Sequence, residues 1–550
     1  MLPIAAVAAA ALPARVDAAA PASTQPARVI SAQLGTEAGP TNRMYNFCVG
    51  AGRANEGLRA DWQRQLRRVR EECGFRYIRF HGLFCDDMGV YQEDRQGRSI
   101  YNWQYIDELF DFLQSIGMKP FVELGFMPSA LASGPQTIFW WRGNVTPPKD
   151  YAKWEAFVAA FVRHCTERYG TAEVRSWFFE VWNEPNLDGF WTGNPQKKPY
   201  GEWAVGARAE YLKLYTASAR AVKSIDASYR VGGPATAGEG WIDETLAFCA
   251  EQKVPLDFVS THSYATMSGY LDESGNAGTV FSPDRDAITA GVKNVRAKID
   301  HSALPRLPLH YTEWSASYTP SDPIHDNYVS AAFILNKIRH IGAAAASMSY
   351  WTFTDIFEEA GPRMTPFHGG FGLLNYQDLA KPSFFAYQFL NRLGDTELAC
   401  NDPEAFVCRD GQSVQALFWD FTITHPGPSI INQVYYTQDH AAKPQAPAEL
   451  MLTGLRAGRY ELSARKVGYR ANDVQTAWRD LGAPAQLTRA QVALLRRESS
   501  GAPVLTATVE IGHDGRFDRV FEMRENDVWL VELRPLETTV DPVAGPRSAP

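Results

Sequence analysis

Trp177-Phe178-Phe179-Glu180-Val181-Trp182-Asn183-Glu184-Pro185-Asn186-Leu187-Asp188-Gly189-Phe190-Trp191 is the stretch on which the reading of this chain turns. It opens as an apolar run and ends in Asn183-Glu184-Pro185, so a buried strand brings an amide and a carboxyl to its C-terminal tip. Pro185 stops the strand, because it has no N–H for a ladder. A carboxyl beside aromatic rings is poorly solvated, which raises its pKa and keeps it protonated near neutrality, as a general acid requires. The plainer alternative is an ordinary strand-to-loop junction whose acidic residue precedes a proline.

Working outward, the neighbouring segments alternate between strand and helix. Trp62, Leu66, Val69 and Cys73 fall on one helical face, with Gly74 at the C-cap position. Phe75–Phe80 then reads as a strand. Ile106, Leu109, Phe110, Leu113 and Ile116 mark a second helix ended by Gly117, followed by the strand Pro120–Leu124. The loop Gly125–Asp150 carries Phe139, Trp140 and Trp141, and loops of this length in a compact domain are usually functional. A helix through Trp154, Phe157, Phe161, Cys165 and Tyr169 leads back to the central strand. Further strands are expected at Tyr45–Val49, Tyr229–Gly232, Leu256–Thr261, Leu307–Tyr311 and Ala346–Trp351, with helices over Tyr211–Ile225 and Tyr328–Ile341.

About eight strand candidates alternating with helical patterns suggest an α/β fold, a (β/α)8 TIM barrel over residues 41–395, with an open doubly wound sheet as the weaker alternative. No glycine-rich loop follows a strand, which disfavours a dinucleotide fold. From Cys400 onward short alternating segments such as Val414–Phe421, Tyr460–Val467, Leu505–Ile511 and Val528–Leu533 replace helical periodicity. They predict an accessory β-sandwich domain formed by residues 396–539 together with 28–40, where Arg28–Leu34 adds a strand. Residues 540–550, rich in Pro, Ser and Ala, are expected to be disordered.

The 550-residue chain has a net charge of −8, a pI near 5.8 and no long basic block, so neither nucleic acid nor a membrane surface is an expected partner. A neutral substrate fits better. Residues 1–20 are small and apolar with an alanine-rich tail, which reads as a signal peptide lacking a basic n-region and predicts export to the periplasm or beyond. Seven scattered cysteines lack metal-ligand spacing, and their odd number leaves at least one outside any internal pair; Cys400 and Cys408 are near enough in sequence for a disulfide. Nothing in the sequence sets an oligomeric state.

Two carboxyls follow barrel strands, Glu184 after the fourth and Glu313 after the seventh. Barrel closure can bring such ends, about 130 positions apart, into one pocket. At about 5 Å they suit retaining glycoside hydrolysis, and a wider gap implies inversion. Glu313, with Thr312 and His310 beside it in sequence, is expected to stay ionised and nucleophilic, and Glu184 to be the acid. Asn183 could meet a sugar 2-OH, Trp351 could offer an apolar platform, and His81 and His262 could bond ring hydroxyls, although a strand-end Trp or His is as often structural. No HExxH, G-x-S-x-G or clustered Cys/His pattern occurs, so no metal or cofactor is expected.

Arg79–Tyr91 (RFHGLFCDDMGVY), Glu180–Trp191 (EVWNEPNLDGFW), Thr261–Tyr264 (THSY), Tyr311–Ser315 (YTEWS) and Tyr350–Asn375 together resemble glycoside hydrolase family 39, in order along the whole barrel. The resemblance implies a retaining exo-hydrolase with Glu184 as acid/base and Glu313 as nucleophile. It also implies a sugar subsite lined by His81, Asn183, His262, Tyr264, Trp351, Glu358 and Glu359. The family holds β-xylosidases and α-L-iduronidases. Glu358 and Glu359, when ionised, would repel a uronate carboxylate, so the expectation is a β-D-xylosidase acting on xylo-oligosaccharides in xylan degradation. Arg363 keeps the iduronidase alternative open. An endo-xylanase and a non-catalytic carbohydrate-binding protein are the remaining alternatives.

Overall fold

The computed structural model describes residues 25–192, 203–271, 277–423 and 435–536. The expected signal peptide and the expected disordered tail lie outside these residues. Eight parallel strands close into a barrel: β1 (Cys48–Arg53), β2 (Tyr77–His81), β3 (Lys119–Leu124), β4 (Phe178–Val181), β5 (Arg230–Thr236), β6 (Phe258–Tyr264), β7 (Leu309–Ser315) and β8 (Ser347–Tyr350). Pairing runs in chain order around the ring, and Tyr350 of β8 meets Val49 of β1 to close it. The (β/α)8 expectation therefore holds, and the open-sheet alternative does not.

The helices between strands form where apolar residues recur at helical spacing. Ala60–Cys73 buries Trp62, Leu66, Val69 and Cys73 and ends at Gly74, whose φ of 78° suits a residue without Cβ. Tyr151–Tyr169 starts at Asp150, whose side chain accepts from the N–H groups of Ala152 and Lys153. Two helices absent from the sequence reading complete the fifth and sixth units, Ile242–Gln252 and Thr289–Asp300. Their buried positions, Ile242, Thr245, Leu246 and Cys249 in one and Thr289, Val292, Val295 and Ile299 in the other, do recur at helical spacing. Each stripe is four residues long and includes a threonine, which thins the apolar signal.

Inside the barrel the side chains stack in layers. The floor is aromatic: Phe121, Phe178 and Phe258 pack together with Cys48, and Phe121 and Phe178 lie ring on ring at 4.8 Å. Two residues further along, the same inward faces of β2, β3 and β4 carry Arg79, Glu123 and Glu180, because strand side chains alternate with period two. The aromatic layer seals the charged layer from below. His310 belongs to the floor, bonded to Ser347 Oγ at 2.7 Å with Phe178 5.0 Å away, and is not a neighbour of the Glu313 carboxyl as its place in sequence suggested.

Several strands run further than the sequence reading placed them. β6 continues to Tyr264 and β7 to Ser315, so His262, Tyr264 and Glu313 sit within strands rather than after them. β7 also bulges: Tyr311 pairs with Thr261 and Glu313 with His262, which leaves Thr312 extra. A bulge breaks the alternation locally, and here it lets consecutive residues, Thr312 and Glu313, both face the interior.

Nine strands form the second sheet, including Arg28–Pro40, which pairs with Thr396–Cys400 on one side and Pro444–Thr453 on the other. One core draws on all of them, from Ile30 and Leu398 through Phe418, Leu450 and Leu462 to Phe521 and Val531, so the sheet curls over itself as a sandwich. It also carries two helices that alternating patterns did not announce, Val474–Asp480 and Arg489–Glu498. The second begins with Thr488 and Gln491 in a reciprocal capping box, a signal that was present in the sequence. All seven cysteines are free thiols; Cys408 lies opposite Glu397 rather than Cys400 and receives a bond from Thr41. No helix among the described residues is long and apolar enough to cross a membrane.

Candidate active site

Arg79, without solvent exposure, is the hub of the charged layer. Its Nε donates to Glu180 Oε2 at 2.5 Å, Nη1 to Glu313 Oε1 at 2.6 Å and Nη2 to Asn183 Oδ1 at 2.8 Å, while Glu123 Oε2 lies 2.9 Å from Nη2. One fork thus ties β2, β3, β4 and β7 together, and only arginine offers donors in that planar spread. Asn183, whose Oδ1 is occupied by Arg79, keeps its amide N–H for a ligand. Sequence reading passed over Arg79, Glu123 and Glu180 because they sit in runs that read as apolar strands. The period-two step from the aromatic floor was the available signal.

Glu184 sits just beyond β4. Its backbone N–H donates to Ala235 O at 2.8 Å, and its φ of 41° and that of Trp182, 71°, place both in the left-handed region. Such strain persists only where surrounding contacts over-determine it, as they do at this turn. The carboxyl reaches His262, with Oε1 at 2.9 Å from Nδ1. His262 Nε2 lies 3.2 Å from Thr312 Oγ1, and that hydroxyl donates to Glu180 Oε1 at 2.7 Å.

This chain of bonds fixes a proton. Thr312 spends its only hydrogen on Glu180, so it accepts from His262 Nε2–H. Burial lowers the His262 pKa well below the ordinary range, so the ring is neutral and Nδ1 bears no hydrogen. Nδ1 can then only accept, and Glu184 must donate. The direction of its pKa agrees: burial, then the Glu313 charge, raise it well above the ordinary carboxyl value.

Glu313 has the opposite surroundings. Arg79 holds Oε1, and the Tyr264 hydroxyl donates to Oε2 at 2.7 Å. Burial raises the Glu313 pKa, and the charge of Arg79 and the Tyr264 bond pull it back. One carboxyl oxygen of Glu184, one of Glu313 and a ring nitrogen of His262 lie within 4.8 Å of one another. These donors already serve each other, Arg79 and Tyr264, so the site's own guanidinium supplies the cation and we assign no ion.

The remaining candidates divide. His81 places Nδ1 2.7 Å from Glu123 Oε2 and Nε2 3.6 Å from Glu313 Oε1 and 3.7 Å from Glu359 Oε1. Trp351 packs against His81 at 4.8 Å and passes so close to β1 that a Cβ on Gly50 would lie 2.5 Å from its ring. Glu359 joins the pocket, but Glu358 turns away: its carboxylate is held by Arg53 at 3.1 Å and Arg59 at 2.9 Å. Arg363, with Nε buried and no hydrogen-bond partner, is half-buried near Glu359. The loop after β3 lays Phe139 5.9 Å from the His81 ring, and Trp140 N–H donates to Glu359 O at 2.8 Å, joining it to the loop after β8.

A protonated carboxyl and a second, cation-held carboxyl at the C-terminal mouth of a parallel barrel define a glycoside hydrolase. The pattern of "Glycosyl hydrolases family 39" matches residues 29–518. A beta-xylosidase from Geobacillus stearothermophilus is 38% identical, over 91% of this chain and 94% of that protein. Among solved structures, the GH39 enzyme from Xanthomonas axonopodis pv. citri superposes with a TM-score of 0.88 at 43% identity, covering 93% of this chain and 98% of that one. A monomeric beta-xylosidase from Caulobacter crescentus CB15 gives 0.87 at 44% identity, covering 93% and 100%. The chain belongs to glycosyl hydrolase family 39.

Proposed function

We propose that the chain is a retaining, exo-acting β-D-xylosidase that releases xylose from the non-reducing ends of xylo-oligosaccharides, with Glu313 as nucleophile and Glu184 as acid/base. The observation that carries this is the distance of at most 4.8 Å between carboxyl oxygens of Glu184 and Glu313. Retaining enzymes hold the two groups about 5 to 5.5 Å apart, and inverting ones leave at least about 6.5 Å for a water. Glu313 attacks the anomeric carbon as the C1–O bond to the leaving group breaks, and the Glu184 proton goes to the departing oxygen. In the second half, Glu184 takes a proton from water, the water oxygen bonds to C1, and Glu313 leaves as a carboxylate. Asn183 N–H donates to the 2-OH.

The relatives' xylosidase activity supports xylose as the sugar. So does the acidic wall: burial, then the Glu313 charge, raise the Glu359 pKa, and a substrate carboxylate there would meet that same charge. The tie between Trp140 and Glu359 supports exo action, because it joins two loops across one side of the pocket. The small, apolar residues 1–20 support export, with xylan fragments as the substrate.

Proton NMR of an aryl β-D-xyloside during turnover tests the reading. β-Xylose appearing before mutarotation is the expected result. α-Xylose first means inversion and removes Glu313 as nucleophile. Absence of xylose with cleavage of an aryl α-L-iduronide gives Arg363 the substrate carboxylate instead.

A further inference from the structure

We propose that Glu123 is a positioning residue: its protonated carboxyl donates to His81 Nδ1 across 2.7 Å, which keeps the ring hydrogen on Nε2 and makes His81 a donor to a sugar hydroxyl oxygen. The inference rests on the reading of the pocket as a sugar site, and it concerns a residue that no motif singled out.

The geometry leaves two arrangements of one proton. In the first, an ionised Glu123 accepts from Nδ1–H, and a bare Nε2 lone pair faces Glu313 Oε1 at 3.6 Å and Glu359 Oε1 at 3.7 Å. An ionised Glu123 would then share the single Arg79 guanidinium with the Glu180 and Glu313 carboxyls, in a layer closed from below by aromatic rings. In the second, Glu123 is neutral and Nε2–H points at those same oxygens. Charge balance and the two carboxyl oxygens facing Nε2 favour the second, in which Glu123 Oε2 donates to Nδ1 while its lone pair meets Arg79 Nη2 at 2.9 Å.

Two further observations agree. Glu123 Oε1 is buried with no hydrogen-bond partner, a position far costlier for a carboxylate oxygen than for the carbonyl oxygen of a neutral acid. Burial also pushes Glu123 well above the ordinary carboxyl value and His81 down to about 3, so the imidazole is neutral and carries one ring hydrogen. Phe126 and Phe139 stack on the ring, and Trp351 packs against it at a tilt. Ligand histidines use a second-layer carboxylate to select a tautomer by accepting the ring N–H; here the neutral carboxyl selects the other tautomer by donating to the ring.

The test begins with the resting enzyme. In protein labelled with 15N-histidine, with the His81 signals assigned by their loss in His81→Gln, Nε2 should be the protonated nitrogen at neutral pH and Nδ1 the bare one. A protonated Nδ1 with a bare Nε2 overturns the proposal, whatever glycoside the enzyme cleaves. Glu123→Gln should exchange the two signals, because the amide oxygen must face Arg79 and therefore accepts from Nδ1–H. On an aryl β-D-xyloside the same change should lower kcat/KM about 30-fold, mainly through KM, the scale of one misdirected buried hydrogen bond. In a His81→Gln background the loss should shrink to within about 2-fold. An equal loss in both backgrounds means that Glu123 acts through Arg79 or through folding and overturns the proposal. If the NMR result holds while no β-xyloside is cleaved, the xylosidase reading fails and the tautomer stands.

Discussion

The Tyr264 hydroxyl donates to Glu313 Oε2 at 2.7 Å while Arg79 holds Oε1 at 2.6 Å, so each oxygen of this carboxyl has its own donor. The two donors oppose the burial, which still leaves the Glu313 pKa above the ordinary carboxyl value. In Tyr264→Phe one of them is gone, and the Glu313 pKa rises. The acidic limb of kcat/KM should move up by about one pH unit, the value of a hydrogen bond to an ionised group. A profile that keeps its acidic limb would show that Tyr264 does not tune Glu313.

Thr312 lies outside hydrogen-bonding reach of Glu184 and still controls its proton. In Thr312→Val the acceptor for His262 Nε2–H is missing, and the ring can turn its hydrogen to Nδ1, where it donates to an ionised Glu184. That bond favours the charged form and lowers the Glu184 pKa. The alkaline limb of kcat/KM should therefore move to lower pH with KM little changed. Profiles of the two proteins that coincide above neutrality would refute the hydrogen-bond chain.

Glu56 is fully buried beneath the Glu358 segment, accepting from the backbone N–H groups of Glu358 at 2.9 Å and Arg53 at 3.3 Å. Burial, followed by the Glu358 charge, raises its pKa from 4.5 to about 8. Between those values the folded chain keeps a proton that the unfolded chain releases, so unfolding loses a proton and stability falls as pH rises. In that window the wild type should lose stability relative to Glu56→Gln by about 1.4 kcal/mol per pH unit. Urea midpoints at pH 5, 6 and 7 measure it, and parallel curves would refute it.

Lys381 carries a structural load beneath the loop that delivers Trp351 and Glu359. Its ammonium lies 2.6 Å from both Asp326 and Asp355 and donates to Gly370 O, all three charged side chains being fully buried. Lys381→Met leaves two carboxylates buried without a cation and should cost about 3–5 kcal/mol of stability. Denaturant unfolding reports the loss. A triple variant with Asp326→Asn and Asp355→Asn should recover much of it, and a Met variant as stable as the wild type would mean that the triad contributes nothing.

The recurrent strand and helix patterns, and the carboxyls at Glu184 and Glu313, were legible because each depends on local features: an apolar period, a glycine stop, a proline after a strand. The missed helices at Ile242–Gln252 and Thr289–Asp300 show the limit of that legibility, since their short stripes mix apolar with polar residues. His310 shows another: only three positions before Glu313, it lies near the start of the same strand and so falls on the barrel floor rather than beside the carboxyl.

What the sequence determined by itself is the alternation that makes a barrel and the identity of the two carboxyls at its mouth, since periodicity and chain-breaking residues act over a few neighbouring positions. Only the tertiary structure decided that Arg79 binds Glu313 and Asn183, that Glu123 holds His81, and that Glu358 belongs to Arg53 and Arg59 while Glu359 enters the pocket. A buried charge is tolerated only beside its partner. The partners here come from strands and loops far apart in the chain, so barrel closure, together with the single extra residue of the Thr312 bulge, determines which charges meet.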